Sequence, residues 1–246
     1  MMNLSQISTR PPEGSLKAEV KAKLEKLQRR LFELQNVLYA ESKHSLLIVL
    51  QGMDASGKDG VVRNVFSCVN PMGCNVTAFK APTEIEKAHD YMWRIYPNLP
   101  AKGMIRIFNR SYYEDIIVPT VTNSHDKDVI ESRYHHINTF EHRLQTNGTH
   151  ILKFFLHLSI DEQQKRIEQR LSKPHKRWKY SDEDKKASKM WDSYQRVYER
   201  ILVECSPQLP WTVVPADVRW YRNYLIAKSV VDHLEGLDMK YPTPEI

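Results

Sequence analysis

The sequence predicts an α/β fold of three layers, with a parallel five-stranded sheet between helices. Three observations predict it. Five short apolar runs alternate with longer amphipathic stretches, the pattern of strands joined by crossover helices. The first run leads directly into a glycine-bearing loop and then a helical stretch, the order in which a backbone wraps a phosphate. The chain has 246 residues, 41% hydrophobic and 27% charged, which suffices for one large domain with a full core and is too apolar for a disordered chain.

The elements follow in order. After a polar start with Pro11, Pro12 and Gly14, the stretch from Leu16 to about Glu41 has no Gly or Pro and places Val20, Leu24, Leu27, Leu31, Leu34 and Leu38 at alternating steps of four and three. That is a heptad seam on one helix, able either to pair subunits or to pack on its own domain. Residues 1–44 are therefore read as an N-terminal amphipathic helix region and 45–246 as the phosphate-loop domain. The strands are expected at Ser45 to Leu50, Asn75 to Phe79, Gly103 to Phe108, His150 to Leu158 and Trp211 to Val214. Helical stretches are expected at about Lys58 to Val69, Thr83 to Tyr96, Lys127 to Thr146, Ile160 to Leu171, Asp182 to Glu204 and Arg219 to Leu234. In such sheets ligands bind at the carboxyl ends of the strands.

The loop after the first strand reads Gly52-Met53-Asp54-Ala55-Ser56-Gly57-Lys58-Asp59-Gly60. Gly52 and Gly57 let the backbone curl so that amides from Ala55, Ser56, Gly57, Asp59 and Gly60 face a phosphate. Lys58 supplies a point charge, and the dipole of the following helix adds to it. Position 59 is Asp, where the usual motif has a Ser or Thr that binds magnesium. Asp54, inside the loop, is the natural replacement, because a carboxylate there is a hard oxygen donor beside the phosphates.

The third strand ends in Asn109-Arg110-Ser111-Tyr112-Tyr113-Glu114-Asp115. Arg110 can neutralise a phosphoryl group in transfer, while Glu114 or Asp115 can ligate a metal or hold its water. A helix start with its acids at the positive dipole end explains the acids but not Arg110.

Between Lys165 and Lys189 stand ten Lys and Arg against four acids, a balance equal to the whole net charge of +6. Within it, Arg170, Lys173, Lys176, Arg177 and Lys179 surround Pro174, which ends the preceding helix, and Ser181 can cap the next. A short arm between two helices, at about residues 170–190, suits a lid that closes over phosphates and excludes water. Trp178 and Tyr180 can stack on a base or pin the lid to the body.

Other features exclude more than they suggest. The longest aliphatic run, Leu46 to Leu50, is far below the roughly 20 residues of a membrane span, and no signal-peptide pattern opens the chain. No membrane partner and a cytoplasmic location are expected. Cys68, Cys74 and Cys205 lack the spacing of a zinc or redox motif and are expected as buried free thiols. His135, His136 and His142 have no acidic or thiol partner at ligand spacing.

Four blocks in order, the Gly52 to Gly60 loop, Phe79-Lys80-Ala81-Pro82-Thr83, the Asn109 to Asp115 segment and the arm from Arg170 to Lys179, resemble the second family of polyphosphate kinases. The likeness runs from about Ser45 to Leu234. It implies a kinase-like P-loop fold with a helical lid, dependence on Mg2+ with Mn2+ as a substitute, and essential roles for Asp54, Lys58, Arg110 and Arg170. Lys80, Lys173, Lys176 and Lys179 become phosphate contacts, Asp54 and Asp115 metal ligands, and Asn109 and Glu114 acceptor contacts. The implied partners are inorganic polyphosphate and adenine or guanine nucleotides, in a homo-oligomer, with no nucleic acid. Asn109 with Glu114 is similar to the subgroup that accepts both mono- and diphosphates, so AMP to ADP and ADP to ATP are both expected. An ATP-dependent nucleoside or nucleotide kinase and a nucleic-acid-binding P-loop NTPase are the rival readings of the same loop and basic arm.

Overall fold

The structure is a computed structural model that describes residues 2–179, 188–205 and 207–243. Strands β1 (Ser45–Gln51), β2 (Cys74–Ala78), β3 (Ile105–Asn109), β4 (Thr149–His157) and β5 (Trp211–Pro215) form one sheet in the order β2-β3-β1-β4-β5. Every pairing is parallel. All seven residues of β1 are buried, which is what its unbroken aliphatic run requires of a strand covered on both faces.

The side chains of the sheet alternate between two cores. Leu47, Val49, Phe108 and Phe155 point to one face, where α4 (Glu114–Thr122), α5 (Lys127–Thr146) and α7 (Trp191–Glu204) contribute Ile116, Ile137, Phe140, Tyr198 and Ile201. Leu46, Ile48, Leu50, Ile107 and Phe154 point to the other. There α1 (Lys17–Glu41), α2 (Lys58–Val65) and α8 (Arg219–Glu235) supply Leu31, Leu34, Leu38, Val61, Ile226 and Val230. The α1 seam packs along α8, so the heptad stripe is spent within the chain and leaves no argument from it for pairing subunits. Leu31 is fully buried in that contact. Leu31→Ala is expected to cost about 2–5 kcal/mol by transfer and cavity terms, read as a fall in the urea midpoint.

Two expected helices change shape. The stretch Thr83 to Tyr96 is not one helix. Thr83 caps α3 (Glu84–Lys87) through a reciprocal capping box with Glu86, but the Asp90 carboxylate then accepts the Met92 amide at 2.9 Å and turns the chain. Pro97 confines the end to a single 3-10 turn, Tyr96–Asn98. The stretch after Lys58 ends at Val65 rather than Val69. Conversely α4 was not among the expected helical stretches, although its acids at Glu114 and Asp115 also suit a helix start, and Pro119 stands inside it. Proline leaves the carbonyl of residue 115 without its helical donor, and Arg133 Nη1 fills that role at 2.5 Å.

Pro174 does end α6 (Ile160–Ser172), and a 3-10 turn follows over Pro174–Lys179. Residues 180–187, which include Tyr180, Ser181 and the expected helix start at Asp182, lie outside the described residues, as do the side chains of Lys176 and Lys179. Of the three free thiols only Cys205 is buried; Cys68 and Cys74 are half-buried. No helix among the described residues is long and apolar enough to cross a membrane.

Candidate active site

The loop that leaves β1 is shaped by three residues with positive φ, Gly52 (144°), Ala55 (65°) and Gly57 (99°). A Cβ at Gly52 would stand 2.8 Å from the Leu156 carbonyl of β4, so the loop runs against the neighbouring strand. A turn closed by the Ser56 amide on the Met53 carbonyl, 3.1 Å, brings the chain into α2.

Lys58 opens α2 and is buried. Its ammonium curls back over the loop and donates to the carbonyls of Gly52 (2.7 Å) and Met53 (3.3 Å). Burial first, and then the nearby Arg110, lower its pKa, with Asp54, Glu114 and Asp59 pulling the other way.

β3 ends beside this loop and delivers Arg110, whose φ of 64° is strained for a residue with a side chain. The Arg110 Nη2 donates to Asp54 Oδ1 at 2.6 Å. Burial works to raise the Asp54 pKa, but Arg110, Lys58 and Arg170 together bring it below the ordinary carboxylate value. Asp54 is thus held ionised. For Arg110, burial works against the charge and is overcome by Glu114 and Asp54.

Around this pair, Asn109 Nδ2 donates to Asp59 Oδ1 at 2.8 Å and Gln51 Nε2 donates to Glu114 Oε1 at 3.1 Å. The carboxyl ends of β1 and β3 therefore gather Asp54, Lys58, Asp59, Asn109, Arg110 and Glu114 in one place. The buried phenol of Tyr198, from α7, faces the same charges; burial and then Glu114 and Asp54 push its pKa well up.

Other expected residues stand apart from that group. The Asp115 carboxylate turns to Arg94 Nη2 at 3.4 Å, and burial raises its pKa despite that partner. Lys80 is exposed just beyond β2, and its backbone carbonyl accepts from Arg94 Nη1 at 2.9 Å. Arg170 is half-buried near the end of α6 and acts on Asp54 through its charge. Lys173 is exposed at the end of α6.

Three polar residues outside the motifs hold the loop from behind. Gln163 Nε2 donates to the Asp54 carbonyl at 3.1 Å. Arg166 Nη1 donates to the carbonyls of Ala55 and Ser56 at 3.0 and 3.2 Å, and Arg222 Nη1 donates to Ser56 O at 2.9 Å. A signal for them existed. Both arginines lie shortly after a strand's carboxyl end, and Arg166 sits one helical turn before Arg170.

Among the described residues no group of three or more His, Cys, Asp or Glu side chains converges to cage a metal. An ionised, half-buried Asp54 beside a phosphate loop is still a fitting donor for Mg2+, which keeps several waters and takes one or two carboxylates plus phosphate oxygens.

Residues 15–242 match the family model described as Polyphosphate kinase 2. The chain is 50% identical over 234 residues to an AMP/ADP-polyphosphate phosphotransferase of Meiothermus ruber, covering 95% of this chain and 87% of that protein. It is 42% identical over 226 residues to an ADP-polyphosphate phosphotransferase of Rhodopseudomonas palustris, covering 87% and 78%. The crystal structure of Polyphosphate Kinase 2 from Arthrobacter aurescens superposes with a TM-score of 0.96 at 40% identity, over 100% of this chain and 89% of that one.

Proposed function

The chain belongs to the polyphosphate kinase 2 family, and on that premise we propose that it moves a phosphoryl group between inorganic polyphosphate and the terminal phosphate of a nucleoside mono- or diphosphate. The observation that carries this reading is the gathering of Asp54, Lys58, Arg110 and Glu114 where β1 and β3 end.

In the forward direction an oxygen of the acceptor's terminal phosphate attacks the end phosphorus of the chain. A new P–O bond forms, the bond to the bridging oxygen breaks, and the chain leaves one phosphate shorter. Both reactants are polyanions, so catalysis is chiefly a matter of alignment and charge. Lys58 and the loop amides grip the donor chain. Arg110, fixed by Asp54, meets the charge that develops on the transferring group. Arg170 and Lys173 extend the positive field around the donor chain, a role that the family resemblance also gives Lys176 and Lys179. Glu114 and Asn109 orient the acceptor. Mg2+, or Mn2+ in its place, would be held by Asp54 and would supply screening between the two phosphate groups. Asp115, tied to Arg94, serves as a metal ligand only if that ion pair opens. The three free cysteines agree with a cytoplasmic setting.

Acceptance of both AMP and ADP is supported by the M. ruber relative's name and by Asn109 and Glu114. It is tested by supplying AMP as the sole nucleotide with polyphosphate and Mg2+ and following products by ion-exchange chromatography. ADP is expected first and ATP after it; ADP without ATP, or neither, contradicts the dual acceptor range.

A further inference from the structure

Arg222, near the start of α8, is 2% exposed. Its guanidinium lies directly behind the phosphate loop. Nη1 donates to Ser56 O at 2.9 Å, while Nη2 and Nε hold Asn223 Oδ1 at 2.9 and 3.2 Å. A Cβ added to Gly57 would meet Nη1 at 2.1 Å, and one on Gly60 would stand 3.1 Å from Nη2. The two loop glycines thus make room for this arginine as well as for a phosphate.

Its charge is unusual for so deep a place. Among the described residues no carboxylate bonds it, and its charged neighbours Arg166 and Arg219 have the same sign. Burial, followed by those neighbours, lowers its pKa to about 9. A fold rarely keeps a buried cation with neutral partners unless another charge meets it in function.

We propose that Arg222 is a positioning residue for the donor phosphate chain. It pins the Ser56 carbonyl behind the loop and sets uncompensated positive charge beneath the place where the chain docks. The peptide between Ser56 and Gly57 is trans, so its carbonyl and the Gly57 N–H point in opposite directions. Holding the carbonyl on Arg222 therefore turns the amide away from Arg222, toward the open side of the loop. Arg166 acts beside it on Ala55 O and Ser56 O, but Arg166 also holds Glu162 at 2.8 Å, which offsets part of its charge. Among the described residues Arg222 has no such offset. This inference rests on the polyphosphate reading of the loop.

The test uses the full chain and three variants, Arg222→Gln, Arg222→Lys and Gly60→Ala. Steady-state kinetics with polyphosphate and ADP are joined to calorimetric binding of inorganic tripolyphosphate without nucleotide, and melting curves establish that each variant is folded. Arg222→Gln is expected to raise the KM for polyphosphate by about tenfold or more and to weaken tripolyphosphate in parallel, with the KM for ADP within about twofold. Arg222→Lys keeps the charge without the fork and falls between. Gly60→Ala favours the helix yet crowds Nη2, so it too raises the polyphosphate KM, by about threefold. If Arg222→Gln does not fold, the other two decide. Unchanged donor KM and tripolyphosphate affinity in folded Arg222→Lys and Gly60→Ala would overturn the inference, as would an equal rise in the KM of both substrates. A wild-type protein that neither binds tripolyphosphate nor forms ATP from it would instead remove the donor assignment, and the inference with it.

Discussion

Asp54→Asn is expected to reduce polyphosphate-dependent transfer by about a thousandfold or more while the chain stays folded, with only a modest fall in melting temperature at neutral pH. The side chain is half-buried, and an amide oxygen can still accept the Arg110 bond that the carboxylate accepts at 2.6 Å. What the substitution removes is the negative charge, and with it the hard donor for Mg2+ and the partner that holds Arg110 against Lys58. Initial rates with saturating polyphosphate, ADP and Mg2+ measure the loss. A near-normal rate would reject the role given to Asp54. The same charge predicts an acid response. The folded pKa of Asp54 lies below its ordinary value because Arg110 and Lys58 outweigh burial. Its stabilisation is therefore full above the unfolded pKa and is lost as pH falls through the folded one. Wild-type protein should lose that increment on acidification and Asp54→Asn should not.

The second large effect is on stability. Glu141 and Lys153 form an ion pair of 2.6 Å with side chains 3% and 0% exposed. The pair is fully engaged. Glu141 Oε1 accepts from Tyr112 Oη (2.7 Å) and Tyr113 Oη (2.8 Å), and Lys153 Nζ also donates to Cys205 O at 2.6 Å. Removing one partner strands a charge in the core, so Lys153→Met is expected to cost about 3–5 kcal/mol, and Lys153→Met with Glu141→Leu substantially less. Urea unfolding of the two variants checks it; equal losses would mean that the charge pair is not what holds this region. Because Tyr112 and Tyr113 follow Arg110 and precede Glu114 in the chain, the same network fixes the segment that carries both site residues.

How much of this was legible in the sequence differs from element to element. The strands and the loop were readable because their causes are local: short apolar or β-branched runs, buried along their whole length in β1, and glycines where φ must be positive. Asp54, Lys58, Arg110 and Glu114 could be expected to meet because each stands at or just past the carboxyl end of β1 or β3. One failure is local: Asp90 accepts the Met92 amide two residues on and turns a stretch that periodicity reads as one helix. The others come from interactions that close over distance. Arg133 compensates for Pro119 from α5, so a helix exists where proline argues against one. Arg166 and Arg222 looked like ordinary charges on amphipathic helices; their places after strand ends hinted at the site, and the fold shows that both bond the back of the loop. Asp115 read as a metal ligand beside Glu114, yet Arg94, twenty-one residues earlier, takes its carboxylate.

Polyphosphate as the phosphoryl donor is what distinguishes this enzyme from an ATP-dependent kinase. The most direct measurement incubates the purified chain with ADP, Mg2+ and polyphosphate of defined length as the only other phosphate compound, and quantifies ATP and chain length together. ATP is expected to form with one phosphate lost from the chain for each ATP. No ATP under these conditions, or chain shortening that yields only free phosphate, would contradict it.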